Sequence, residues 1–146
     1  RTLPRRRAAP SPDRQLRPVV TVVGSASAVS ARQARRLARA RSSLLVQVAW
    51  TRRPTRRDIP AVRRLGRAVA QAAPHAHYVL TGGETARAVL GARGIRALRL
   101  LGEVEPGVPF AMARDGTLVC TKAGAFGGPD TLSKCVARLQ REMTRT

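Results

Sequence analysis

Three short stretches carry hydroxyls, glycines and charge in the same kind of place. They are "VVGSAS" at 22–27, "LTGGETA" at 80–86 and "CTKAGAFGGPD" at 120–130. Each follows an apolar, β-branched run and precedes a helix-like stretch, so each reads as a strand-to-helix corner. Glycine at such a corner lets backbone come close to a ligand and offer N–H groups. The helix that follows points its positive end at the same spot. Ser25, Ser27, Thr81, Thr85 and Thr121 add hydroxyls, and Lys122 adds a mobile cation. This chemistry suits a phosphate-bearing ligand. The chain has no GxxxxGK[ST] and no GxGxxG with an acid about 20 residues on, which argues against a Walker loop and a dinucleotide fold. Glu84 has two readings, as a first-turn partner of the helix dipole or as a partner for magnesium. Asp130 is expected to cap the last helix, and His75 and His77 are expected at the surface.

The elements that must position these corners alternate. Strands are expected at 18–24, 44–50 and 77–82. Helices follow them, the first capped by Ser30, the second capped by Asp58 with Pro60 in its first turn, the third over 84–92. Val62, Leu65, Val69 and Ala72 give the second helix an apolar face. A fourth strand is expected over 95–101. Beyond it "EVEPGVPFAMARDGTLVCTK" reads as a hairpin turning at Asp115-Gly116, and a last helix follows with Leu132, Cys135, Val136, Leu139 and Met143 on one face. This pattern predicts one α/β domain over 18–146, a mainly parallel sheet with flanking helices and one hairpin near the C-terminus. Strand C-termini in such a sheet share an edge where ligands bind. The third corner joins that edge if its strand runs parallel to the others. Residues 1–17, with three prolines and six arginines, read as a linker or flexible tail. The start at Arg1 reads as a piece of something longer.

The chain has 146 residues and a formal charge of +20. Of its basic residues, only Lys122 and Lys134 are lysine. Such a charge suits a nucleic-acid surface. The arginines are not interleaved with stacking aromatics, however, and aromatics make up only 3%. Cys120 and Cys135 lack metal-ligand spacing and lie in apolar runs, so buried free thiols in a reducing, cytoplasmic compartment are expected. No apolar run approaches the ~18 residues of a membrane span.

In order along the chain, "VVTVVGSASAVSARQARRL", "LTGGETARAVL", "LLGEVEPGVPFAMA" and "LVCTKAGAFGGPDTL" resemble the C-terminal nucleotide-binding domain of the four-carbon acid sugar kinases. The resemblance covers most of residues 18–133. It implies ATP-dependent phosphorylation of a hydroxyl on an acid such as threonate or erythronate, with magnesium. Matching motifs imply nucleotide contacts at Ser25, Ser27, Gly82, Gly83, Glu84, Thr85, Lys122, Gly124 and Gly127, with Glu84 the candidate for magnesium. Phe126 is expected in the core rather than against adenine. The sugar acid would bind an N-terminal domain that this chain lacks, so the chain alone is expected to be inactive. A basic nucleic-acid-binding module and an inactive truncated homologue are the alternatives. Oligomeric state stays open.

Overall fold

The computed structural model describes residues 17–41 and 43–145, so the linker expected over 1–17 falls almost wholly outside the described residues. The strands are β1 (Val19–Val23), β2 (Leu44–Gln47), β3 (His77–Thr81), β4 (Arg99–Glu105), β5 (Val108–Met112) and β6 (Leu118–Lys122). The helices are α1 (Ala28–Ala40), α2 (Ile59–Ala72), α3 (Gly83–Ala92) and α4 (Thr131–Thr144). They form one six-stranded sheet in the order β2-β1-β3-β6-β5-β4. Strands β2, β1, β3 and β6 pair in parallel, and β5 runs antiparallel to both β6 and β4.

Burial explains this order. Every residue of β1 and of β3 is buried, as expected for central strands covered on both faces. On one face Val19, Val23, Val79, Leu118 and Phe110 meet Ala34 and Leu37 of α1 and Leu132, Cys135, Val136 and Leu139 of α4. On the other face Val20, Val22, Tyr78, Leu80 and Val119 meet Val69 of α2 and Val89 of α3. The expected apolar face of the last helix is therefore the observed one, with Met143 packed at its margin.

The structure corrects several local expectations. Strand β4 starts at Arg99 rather than 95 and runs through "EVE", turning into β5 at Gly107, whose φ is +83°. Two hairpins thus follow each other, the second turning at Asp115-Gly116 as expected, with Gly116 at φ +87°. Ser27, not Ser30, caps α1 by accepting from Ser30 N at 3.0 Å. Ser30 lies one turn too far in and is fully buried. Asp58 precedes α2 without capping it. Its carboxylate instead accepts from Thr55 N at 2.7 Å and pairs with Arg52 at 2.7 Å. His77 is buried rather than at the surface, because β3 is central. Its Nδ1 accepts from Leu118 N at 2.8 Å.

Candidate functional site

Strand β6 is parallel to β3, with Thr81 level with Lys122. All three glycine corners therefore leave the sheet at one edge. Hydrogen bonds tie them together there. Gly24 N donates to Thr81 O at 3.3 Å, and Gly82 N donates to Lys122 O at 3.0 Å.

Contact between the corners explains two of the glycines. A Cβ on Gly24 would collide with the Thr85 hydroxyl and stand 3.1 Å from Thr85 Cβ. A Cβ on Gly124 would collide with the Ser25 hydroxyl and stand 2.7 Å from Ser25 Cβ. Gly24 and Gly124 thus let the corners touch one another. Thr85 is buried beneath Gly24. Gly82 has a different reason. Its φ of +94° lies in the region that side chains avoid, and it turns β3 into α3. Gly83 stands open at the start of α3, where a Cβ would meet nothing within 4 Å. That helix start has no side-chain cap.

The loop 123–128 is held from beneath by its carbonyls. Lys122 is 3% exposed, and its Nζ donates to Ala123 O at 2.7 Å, Gly124 O at 2.9 Å and Phe126 O at 3.0 Å. The lysine is therefore clamped rather than mobile. Burial pushes its pKa below the ordinary lysine value, while the charge of Glu105 acts the other way. Ser27 Oγ donates to Gly124 O at 2.8 Å, and Ser30 Oγ donates to the same oxygen. Gln33 Nε2 donates to Phe126 O at 3.0 Å and Gly128 O at 2.8 Å. Gly128 N donates to Thr131 Oγ1 at 2.9 Å, and the Thr131 hydroxyl donates to Glu105.

Planarity converts these bonds into a statement about the other side of the loop. In a trans peptide the N–H points opposite to the preceding carbonyl, and no described peptide is cis. With the carbonyls of 123, 124 and 126 turned inward, the N–H groups of Gly124, Ala125 and Gly127 turn outward. Ala125 and Gly127 are exposed there. Outward N–H groups over a buried ammonium make an anion-attracting surface.

The expected residues are thus sorted by position. Gly83, Gly127 and the outer face of Gly124 are at the open edge. Ser25, Ser27, Thr85 and Lys122 hold the corners to each other. Glu84 stands apart. It lines a cleft between α2 and α3 in which no other corner residue takes part. Phe126 is 43% exposed and rests on the Gly107 turn, not in the core. Asp130 makes no cap, and pairs with Arg36 at 3.0 Å. The buried Cys120 and Cys135 carry no disulfide, and contact with Cys135 together with burial pushes the Cys120 thiol far up. Cys120 is therefore not a thiolate nucleophile.

Sequence reasoning missed Gln33 and Trp50. Gln33 shares a helical face with Ser30, Ala34 and Leu37, all buried. Polar residues on a core-facing stripe were the available signal for partners inside. Trp50 Nε1 donates to Gly24 O at 2.9 Å from the loop after β2. No local pattern marks it.

With this geometry, comparison with known proteins is decisive. The family described as "Nucleotide-binding C-terminal domain" matches residues 51–132. The chain belongs to that family. It is similar to a D-threonate kinase of Cupriavidus necator, 56% identical over 59 residues, which is 37% of this chain and 14% of that enzyme. It is also similar to a 3-oxo-tetronate kinase of the same organism, 41% identical over 64 residues, 42% of this chain and 15% of the enzyme. The matched stretch therefore spans about one seventh of these curated relatives. A domain of unknown function from Bordetella bronchiseptica, solved as a domain-swapped dimer with bound citrate, superposes with a TM-score of 0.75 at 27% identity, covering 85% of this chain and 39% of that one. A Haemophilus influenzae protein shares the fold at a TM-score of 0.65 and 15% identity, over 84% of this chain and 40% of that one. Among the described residues no helix is long and apolar enough to cross a membrane.

Proposed function

We propose that this nucleotide-binding domain takes ATP at its three interlocked corners and serves as the nucleotide half of a kinase for a four-carbon sugar acid. The supporting observation is the loop 123–128, whose carbonyls at 123, 124 and 126 are locked inward, so that the N–H groups of 124, 125 and 127 face out. The outward N–H groups of Gly124, Ala125 and Gly127 and the uncapped start of α3 at Gly83 would hold phosphate oxygens. Lys122 would contribute its charge through the loop from below. Ser25, Ser27, Gly82 and Thr85 would keep the corners in register. These are the positioning and neutralising roles that phosphoryl transfer requires. The sugar acid and the acceptor hydroxyl would come from a separate substrate-binding part, as the kinase names of the relatives suggest.

Magnesium, the usual companion of ATP, does not fit these corners well. Glu84, the expected carboxylate, faces the α2–α3 cleft, and no group of three or more His, Cys, Asp or Glu gathers among the described residues.

Thermal unfolding in rising ATP tests the proposal. Ligand at about 100 times its dissociation constant stabilises by roughly 2.7 kcal/mol. A flat melting temperature up to millimolar ATP, with and without magnesium, would remove the reading.

A further inference from the structure

The strand order β2-β1-β3 puts a switch point between β1 and β3. From β1 the chain passes through α1 to β2, and from there through α2 back across β1 to β3. Helix α1 packs on one face of the sheet and α2 on the opposite face. In open α/β sheets the crevice outside the strand C-termini at such a point is where ligands bind. Here the corners 24–27 and 82–83 bound it, and a Cβ on Gly82 would stand 3.7 Å from Ser25 N.

One aromatic side chain borders this crevice. From the loop between β2 and α2, Trp50 Nε1 donates to Gly24 O at 2.9 Å. The loop is held on both sides of the indole. Before it, Val48 N donates to Val23 O at 3.0 Å. After it, Arg52 makes two bonds to the Asp58 carboxylate, at 2.9 and 2.7 Å, and Thr55 N donates to the same group. Trp50 stays only half-buried. An indole has one donor and no acceptor, so once its N–H is used its open surface offers a ligand only stacking. Contact runs on from here to the loop 123–128. Ser25 follows Gly24, and its side chain meets Gly124. Phe126 is also exposed at this edge, but it stands beyond β6 against the Gly107 turn, away from the switch point.

We infer that Trp50 is the base-stacking residue of this domain. The purine of a nucleoside triphosphate lies on the indole, while its phosphates reach Gly83 and the outward N–H groups of the loop 123–128. The inference rests on the nucleotide reading above and adds to it the residue that receives the base. Stacking is tolerant of base identity, because every base has a π-face. The indole therefore favours a nucleotide over a bare polyphosphate.

The chain has one tryptophan, so its fluorescence reports this residue alone. ATP and inorganic tripolyphosphate are titrated into the protein, following that emission and the heat of binding. ATP should quench the emission and bind at least about fivefold more tightly than tripolyphosphate, which should bind without quenching. Trp50→Leu should bring ATP down to the tripolyphosphate level and leave tripolyphosphate unchanged. Trp50→Phe, which lacks the N–H but keeps a ring, should retain a preference for ATP. A merely structural indole would act through its bond to Gly24 O, and both variants would then weaken both ligands alike. Thermal unfolding checks that each variant is folded, and the quenching of the wild type needs no variant. If ATP stabilises the fold but leaves the emission unchanged, if Trp50→Leu keeps the preference for ATP, or if the variants weaken both ligands alike, the inference falls and the nucleotide reading stands. If the wild type binds neither ligand, both fall.

Discussion

The contact between Gly124 and Ser25 makes a prediction whose sign reverses with background. Gly124 does not have a positive φ, so its backbone accepts alanine. The obstacle is Ser25 alone, whose hydroxyl and Cβ occupy the space of the new methyl, with Cβ to Cβ at 2.7 Å. Overpacking of this kind costs about 1–3 kcal/mol. The opposing gain from a stiffer unfolded chain is only about 0.4–1 kcal/mol. Gly124→Ala should therefore destabilise, lowering the melting temperature by about 2–4 °C for each kcal/mol in a chain of this size. Ser25→Gly alone also destabilises. It removes the acceptor for Ser27 N, which donates to Ser25 Oγ at 3.1 Å, a bond contributing about 1 kcal/mol. It also adds about 0.5–1 kcal/mol of glycine entropy. In the Ser25→Gly background the methyl on residue 124 is relieved of that clash and keeps Ser27 Oγ at 3.9 Å, an ordinary contact. There Gly124→Ala should be neutral or stabilising by up to about 1 kcal/mol. Urea unfolding of the four proteins gives the coupling energy, expected at about 1 kcal/mol or more in favour of the double variant. Equal destabilisation in both backgrounds would show that the first and third corners do not interlock as described.

Lys122→Met should leave a folded protein, because each carbonyl keeps another donor: Phe126 N for Ala123, Ser27 and Ser30 for Gly124, and Gln33 for Phe126. A net loss of about 1–3 kcal/mol in urea unfolding is expected, three charge-assisted bonds being offset by relief of a buried ammonium, and any stabilisation by ATP should disappear. For Asp58, the bond from Arg52 comes first and the Thr55 N–H second in lowering its pKa from 3.8 to about 2. A carboxyl depressed on folding stabilises above its unfolded value and loses that contribution as pH falls through its folded value. Urea midpoints of the wild type and Asp58→Asn should thus differ at pH 7 and converge as pH falls from near 4 to near 2. A gap that persists at pH 2 would assign the difference to something other than this ionisation.

The sequence carried the architecture further than the roles of individual residues. Strand and helix alternation, the Asp115-Gly116 turn and the apolar face of α4 were legible because each is a local pattern of period two or near four. The start of β4 was not. "RALRLLGEVE" has one edge facing solvent, with Leu100 66% exposed, so burial writes no clean alternation into it. His77 was misplaced for the complementary reason, that the depth of β3 comes from two neighbouring strands remote in sequence.

At the corners, the residue types were legible but their directions were not. Glycine, serine and lysine beside a helix start suggest a ligand in contact with each of them. In the structure most of them contact each other. Gly24 and Gly124 are small so that Thr85 and Ser25 fit, and Lys122 spends its three donors on the loop's own carbonyls. In the proposed site a phosphate would meet backbone, the N–H groups of Gly124, Ala125 and Gly127 facing outward because the carbonyls before them face in. Substitutions at Lys122 and Gln33 should therefore act on a ligand through the order of loop 123–128, and a motif at such a corner identifies the residues that shape a site more securely than those that touch what it binds.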